Sequence, residues 1–204
     1  MLHGASNQQR FESDVPPTDE AGDLLEYFIR HAEGAASVVH LCRRVGDVEE
    51  LVRKLAVNGD VSVSGSLFER FPAIGKRLAS SFDPIRPSTA EEAARAVVGV
   101  AVGEAMVVET GSILVAEHQL EDRLISMLSP ILVQVVSADA ILPGMDEVGE
   151  FLARRHDGGM GGYHVLVTGP SRSADIERSL TIGVQGPSEV HIAILFDDEE
   201  AEVE

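Results

Sequence analysis

The feature that most restricts the fold of this chain is a series of short, β-branched apolar runs that alternate with segments of helical periodicity. The central runs at 97–102, 106–108 and 113–115 lack the regular polar positions of a strand with one face in water. Such runs are typical of a parallel sheet whose crossover connections place helices on both faces. We therefore predict an α/β fold with three layers, α/β/α, around a mainly parallel sheet.

Local signals place the other elements along the chain. The segment 66–78 contains a proline and a glycine, so only short or broken helix is predicted there. Further strands are predicted at 38–41, 61–63, 131–136, 163–167 and 190–195. Helices are predicted from near Asp23, over 47–57 with Asp47 as the cap, over 88–95 with Ser88 as the cap, and over 146–154.

The length and composition are sufficient for one domain with one sizeable core. Of the 204 residues, 44% are hydrophobic, but few are aromatic, so the core is expected to consist of aliphatic side chains. Residues 1–20 are polar and carry two prolines, which predicts a flexible N-terminal arm. We expect the folded domain to span 21–196, followed by a solvated acidic tail at 197–204.

The charge balance and the cysteine count exclude several classes of function. The 34 acidic and 16 basic residues give a net charge of −18, which should repel nucleic acid and anionic lipid. No apolar stretch is long enough to cross a bilayer, and the N-terminus lacks a secretory layout, so a cytoplasmic location is expected. Cys42 is the single cysteine, so this chain cannot supply four thiolates to an iron–sulfur cluster. The histidines show no metal-ligand spacing, and no metal or cofactor is predicted in this chain.

The first candidate site follows an apolar strand at Glu109, Thr110, Gly111 and Ser112. Open α/β sheets bind ligands at strand ends, and these hydroxyls could orient an acid or a sugar while Glu109 serves as a nucleophile or a general base. A β-turn with a surface glutamate explains the same residues without any ligand.

The second candidate site is the segment 168–177, which also follows an apolar strand. Thr168, Gly169 and Ser171 could present hydroxyls and backbone N–H groups to an anion, and the fork of Arg172 suits a carboxylate or a phosphate. In the alternative interpretation Arg172 pairs with an acidic neighbour, and Asp175 caps a helix. Neither the dinucleotide fingerprint nor the P-loop pattern is present.

The third segment, 183–187, is rich in turn residues and leads into the last strand. Gly186, before a proline, could bring this backbone close to the second candidate site, although a purely structural turn is also consistent with the pattern.

Taken in this order, the three segments resemble the LUD-domain family, and within it the stand-alone LutC or YkgG type. The resemblance covers roughly 23–196. It implies a fold similar to sugar-phosphate isomerases and CoA transferases of the NagB/RpiA type. The sequence departs from the family pattern at Gln185, where His is common, at Ser112 and Ser173, where Thr is usual, and at Ile131, in a strand that His often opens.

The resemblance also implies a role in oxidising L-lactate to pyruvate beside LutA/LutB-like iron–sulfur proteins, which would carry the clusters. A small carboxylate or phosphate is then the expected ligand of this chain. Two alternatives remain open at this point: an independent isomerase or CoA-transferase type enzyme with Glu109 as its catalytic carboxylate, and a non-catalytic metabolite sensor.

Overall fold

A five-stranded parallel sheet forms the centre of the molecule, with the strand order β1-β11-β6-β3-β2. The structure is a computed structural model that describes residues 21–117, 119–157, 162–173, 181–182 and 186–196. The main sheet consists of β1 (Val38–Cys42), β2 (Asp60–Val63), β3 (Ala96–Val102), β6 (Ile131–Ser137) and β11 (Glu189–Leu195).

A second sheet, with the order β7-β4-β5-β8, packs beside α1 on one face of the main sheet. Its members are β4 (Ala105–Val107), β5 (Ser112–Ala116), β7 (Ile141–Leu142) and β8 (His164–Val167). β4 and β5 form an antiparallel hairpin that follows β3 directly, and β8 pairs antiparallel with β5. A short antiparallel pair, β9 (Arg172–Ser173) and β10 (Thr181–Ile182), lies separately.

Helices pack on both faces of the main sheet and on the outer face of the second sheet. The helices are α1 (Ala21–Gly34), α2 (Val45–Ala56), α3 (Gly65–Arg70), α4 (Pro72–Phe82), α5 (Ala90–Ala93), α6 (Leu120–Leu128) and α7 (Met145–Asp157). Helices α2, α3 and α4 bury apolar side chains against one face of the main sheet, around Val100 and Val133. On the opposite face, α6 packs over Ala101 and Leu132, and α7 covers the outer face of the second sheet at Leu114.

The central prediction is confirmed, because the structure is a mixed α/β fold around a mainly parallel sheet with helices. The central runs form β3, β4 and β5, and the predicted tight turn joins β4 to β5. The segment 66–78 is interrupted as expected at Phe71, but Gly75 lies inside α4, where it makes room for Phe68.

Two predicted caps are displaced along the chain. Helix α2 begins at Val45, so Asp47 lies in its first turn, where its carboxylate accepts hydrogen bonds from backbone N–H groups just before the helix. Helix α5 is capped by Thr89 rather than by Ser88, and it ends at Ala93. Both shifts have one cause: several adjacent polar side chains can satisfy the free N–H groups, and the tertiary packing selects among them.

Helix α6 was not predicted from the sequence. Ile125 of this helix is buried, but Leu120 and Met127 are exposed, so its apolar residues do not all lie on one helical face. Among the described residues, no helix is long and apolar enough to span a membrane. The predicted arm at 1–20 and the tail at 197–204 lie outside the described residues.

Candidate functional site

Two glycines hold the first and second candidate turns against the last turn of α1. Gly111 and Gly169 have φ angles of 63° and 69°, in the left-handed region that favours glycine. A Cβ on Gly111 would lie 2.4 Å from the backbone N of Ala32, and one on Gly169 would lie 2.0 Å from the carbonyl oxygen of Ala35. The two turns, which are distant in sequence, are therefore fixed at the same helix end.

Hydroxyl groups connect the two turns directly. The Ser112 Oγ lies 2.7 Å from the Thr110 Oγ1 and 2.6 Å from the Thr168 Oγ1, so the three hydroxyls form a continuous hydrogen-bonded chain. The antiparallel pairing of Ile113 with Val167 explains this contact, because one further step places Ser112 opposite Thr168. Ser112, the middle member, is buried, whereas Thr168 is exposed, so this end of the chain of hydroxyls reaches the surface.

Arg172 reaches the same helix end. One of its Nη2–H groups donates a hydrogen bond of 2.6 Å to the carbonyl oxygen of Ala35. A cation at this position is favourable because the helix C-terminus carries partial negative charge. The guanidinium has five N–H donors, and this residue is exposed, so it retains donors for a further acceptor.

The third segment adjoins the second, as far as it is described. The backbone N–H of Ser171 donates to the carbonyl oxygen of Pro187 at 2.8 Å. A Cβ on Gly186 would lie 3.1 Å from the Cβ of Ser171, so a larger residue there would crowd the turn.

Glu109 is engaged elsewhere. Its Oε2 accepts a hydrogen bond of 2.9 Å from the backbone N–H of Met145, the first residue of α7. Such a carboxylate caps the helix and interacts favourably with its dipole. Within the described part of the chain, no hydrogen bond or ion pair joins Glu109 to Arg172. Glu109 supports α7, whereas Arg172 supports α1.

Several site predictions remain predictions. Asp175 and Gln185 lie outside the described residues, so the proposed cap and the departure from the family's usual His have no structural account. No group of three or more His, Cys, Asp or Glu side chains in the described ranges is arranged to hold a metal ion.

Burial, together with the charge of Asp47, raises the pKa of Cys42 to about 11, so this thiol is protonated at neutral pH.

Sequence reasoning missed the contribution of α1 to this region. The Nδ1–H of His31 donates to the carbonyl oxygen of Val108 at 2.6 Å, across 77 residues of sequence. The contact between Arg172 and Ala35 spans 137 residues. No local pattern indicates either contact, because helix C-termini accept hydrogen bonds through backbone carbonyls that every sequence carries.

These observations define a class of protein: a two-sheet α/β domain whose glycine-containing turns meet at the C-terminus of its first helix. The chain belongs to the LUD domain family, whose model matches residues 25–195. This match confirms the resemblance that the three segments indicated.

Three proteins from other bacteria are similar to this chain in sequence. "Lactate utilization protein C" of Bacillus licheniformis is 26% identical over 140 residues, covering 68% of this chain and 58% of that protein. The corresponding protein of Anoxybacillus flavithermus is 29% identical over 107 residues, covering 52% of this chain and 47% of that protein. "Uncharacterized protein YkgG" of Escherichia coli is 25% identical over 169 residues, covering 81% and 71%. The matched region thus spans only about half the length of the first two relatives.

A solved structure shares the fold. The crystal structure of a DUF162 family protein from Deinococcus radiodurans superposes with a TM-score of 0.65 at 18% sequence identity, covering 86% of this chain and 98% of that one. At this level of identity the likeness establishes the architecture alone.

Proposed function

We propose that this chain is the LutC-like component of a system that oxidises L-lactate to pyruvate, and that it binds a small carboxylate or phosphate. The observation that carries the proposal is the 2.6 Å contact between Ser112 and Thr168, which joins two of the turns that carry the resemblance to the family. The names of the relatives supply the metabolic setting.

The ligand is proposed to bind where Thr168 and Arg172 are exposed on one turn. Hydroxyl and guanidinium groups are suitable donors to an anion, and no carboxylate among the described residues lies within ion-pair distance of Arg172. The chain of three hydroxyls orients the Thr168 hydroxyl, because each group in such a chain donates to the next. An anion bound here would therefore meet donors that are already positioned.

The redox step is assigned to partner proteins. Because Cys42 is the only cysteine, the iron–sulfur clusters of the proposed system would be held by LutA/LutB-like partners. The capping of α7 by Glu109 gives this carboxylate a structural role, which lessens the case for Glu109 as the nucleophile of an independent enzyme.

Ligand-dependent melting temperatures test the binding proposal. A ligand specific to the folded state raises the melting temperature by mass action, so L-lactate, pyruvate and phosphate should be titrated separately. We expect at least one of them to stabilise the wild-type protein, and Arg172→Gln or Thr168→Val to weaken its binding about tenfold, the loss of roughly one charge-assisted hydrogen bond. Arg95→Gln is the matched control, because Arg95 is an exposed arginine at the opposite edge of the fold.

Two results would contradict the binding proposal: no stabilisation by any of the three anions, or equal binding by the Arg172 and Arg95 variants. The partner assignment is tested separately by co-expression with LutA/LutB-like iron–sulfur proteins. A stable complex supports the assignment, and a chain that elutes alone at micromolar concentration opposes it.

A further inference from the structure

Helix α6 covers a group of buried polar side chains in an otherwise apolar layer. Glu117, Asp122 and Gln134 are only 2%, 3% and 0% exposed. The Glu117 Oε2, the Asp122 Oδ1 and both amide atoms of Gln134 have no hydrogen-bond partner. Buried polar groups in folded proteins are nearly always paired, so these atoms require a partner that the apolar packing around them does not supply.

The register of the main sheet places Gln134 beneath α6. Gly99 faces this helix, because a Cβ there would lie 2.1 Å from the Oγ of Ser129 at the helix end. Ala101 lies two residues further along β3, on the same face, and packs with Ile125 of α6. Since Gln134 is the register partner of Ala101, its side chain enters the same layer.

The two carboxyl groups enter this layer from the other side. Asp122 lies in the first turn of α6, where its Oδ2 accepts a hydrogen bond of 2.8 Å from the Ser66 Oγ. Glu117 follows β5 and lies beside Ser126 on the inner face of α6, but the Ser126 hydroxyl donates its hydrogen bond to the backbone carbonyl oxygen of Asp122 at 2.9 Å. Burial raises the pKa of both carboxyl groups, and the charge of Asp122 adds to this effect at Glu117.

Positive charge is scarce around these carboxyl groups. Within the described ranges, neither Glu117 nor Asp122 forms an ion pair. The charge of Arg123 lowers the pKa of Glu117, but it acts less strongly than burial, Ser126 or Asp122 does. An ionised carboxylate without a partner is very unfavourable at such depth. A cation or a bound proton is needed to neutralise the pair.

We propose that the layer beneath α6 binds a hard cation of the Mg²⁺ or Ca²⁺ class, held by oxygen atoms of Glu117, Asp122 and Gln134. Carboxylate and amide oxygens are the ligands that these ions prefer. Only two of these ligands are carboxylates, and the amide oxygen of Gln134 is the third.

The burial of these atoms favours an ion over a larger ligand. The unpartnered oxygen and nitrogen atoms are shielded from water, so a carboxylic acid or a sugar would need the helix to move away. A bare cation needs only oxygen ligands at about 2.0–2.6 Å. This site is separate from the proposed anion site, and its residues take no part in that proposal.

Manganese binding tests the inference on the intact chain. Protein stripped with a chelator is titrated with Mn²⁺, and free Mn²⁺ is measured by electron paramagnetic resonance at constant ionic strength. We expect one saturable site per chain, and a melting temperature that rises with Mg²⁺ or Ca²⁺. Glu117→Gln and Asp122→Asn should each weaken this site at least tenfold, whereas the control Glu150→Gln removes an exposed carboxylate of α7 and should leave it unchanged.

A substitution of Gln134 tests the third proposed ligand. Gln134→Met keeps the size of the side chain but removes the amide oxygen, so it should weaken Mn²⁺ binding while circular dichroism reports an intact fold. The inference is overturned if the wild type shows no saturable Mn²⁺ site, or if the Glu117 and Asp122 variants bind like the Glu150 control. It is also overturned if those two variants are simply more stable and the wild type does not respond to cations, because a protonated pair then explains the layer.

Discussion

At the scale of single residues, the pairing of β1 with β11 brings the side chains of His40 and His191 into contact. The His40 Nε2 lies 2.9 Å from the His191 Nδ1, and the rings stack with their centroids 5.2 Å apart. The second nitrogen of His191 is 3.4 Å from the carboxylate of Glu189. Burial lowers the pKa of His40, and the charges of His191 and Lys54 act in the same direction.

This pair predicts a loss of stability in mild acid. The unfolded chain takes up a proton at His40 near its ordinary pKa of 6.5, before the folded protein does, so the free energy of unfolding falls as the pH drops below that value. His40→Gln should reduce this loss, and urea unfolding followed by circular dichroism at pH 7.5, 6.5 and 5.5 measures it. Lys54→Gln should reduce it by a smaller amount. Identical pH profiles for wild type and His40→Gln would show that the pair does not titrate in this range.

At the scale of elements, the C-terminus of α1 organises the region where the three turns meet. Gly111 and Gly169 allow two turns to approach the helix backbone, and Arg172 and His31 add hydrogen bonds. The sequence indicated both glycines as turn residues. It could not indicate that the end of α1, which is distant in sequence, is their common partner.

Gly169→Ala tests this organisation. Its positive φ and the 2.0 Å approach to the Ala35 carbonyl oxygen should make the substitution lower the free energy of unfolding by roughly 1–3 kcal/mol. Gly149→Ala is the matched control, because a Cβ at Gly149 in α7 meets nothing within 4 Å. That control should be stabilised by about 0.5–1 kcal/mol, since alanine favours helix over glycine. Chemical denaturation measures both, and equal stabilities of the two variants would refute the close approach.

At the scale of the whole molecule, the net charge of −18 is the dominant electrostatic feature. Several of the described ion pairs, such as Arg44 with Asp47 and Lys54 with Glu50, are exposed and contribute little to stability. Repulsion among the excess carboxylates opposes the compact state.

Screening should therefore stabilise the protein. Raising NaCl from 50 to about 500 mM is expected to increase the melting temperature by a few degrees, because the Debye length falls to about 4 Å and repulsion weakens more than the exposed ion pairs do. KCl at equal ionic strength should have the same effect if screening is the cause. The measurement is a thermal denaturation series in the presence of a chelator, and a melting temperature that falls with salt would contradict it.

The sequence by itself determined the fold class and most strands. An apolar run such as 97–102 can pair its backbone N–H and C=O groups and bury both of its faces only in a sheet that is covered on both sides. This pattern therefore indicates the architecture. It also determined the turns, because glycine and hydroxyl residues act through local backbone geometry.

Tertiary structure alone decided which groups meet. Thr168 and Ser112 come together through strand pairing, Glu109 supports one helix while Arg172 supports another, and Gln134 is enclosed by a helix that the sequence pattern did not reveal. These contacts join segments that are distant along the chain, and their geometry depends on the packing of every intervening element. A local pattern specifies the conformation of its own segment, whereas the partner of each side chain is fixed only when the whole core has closed.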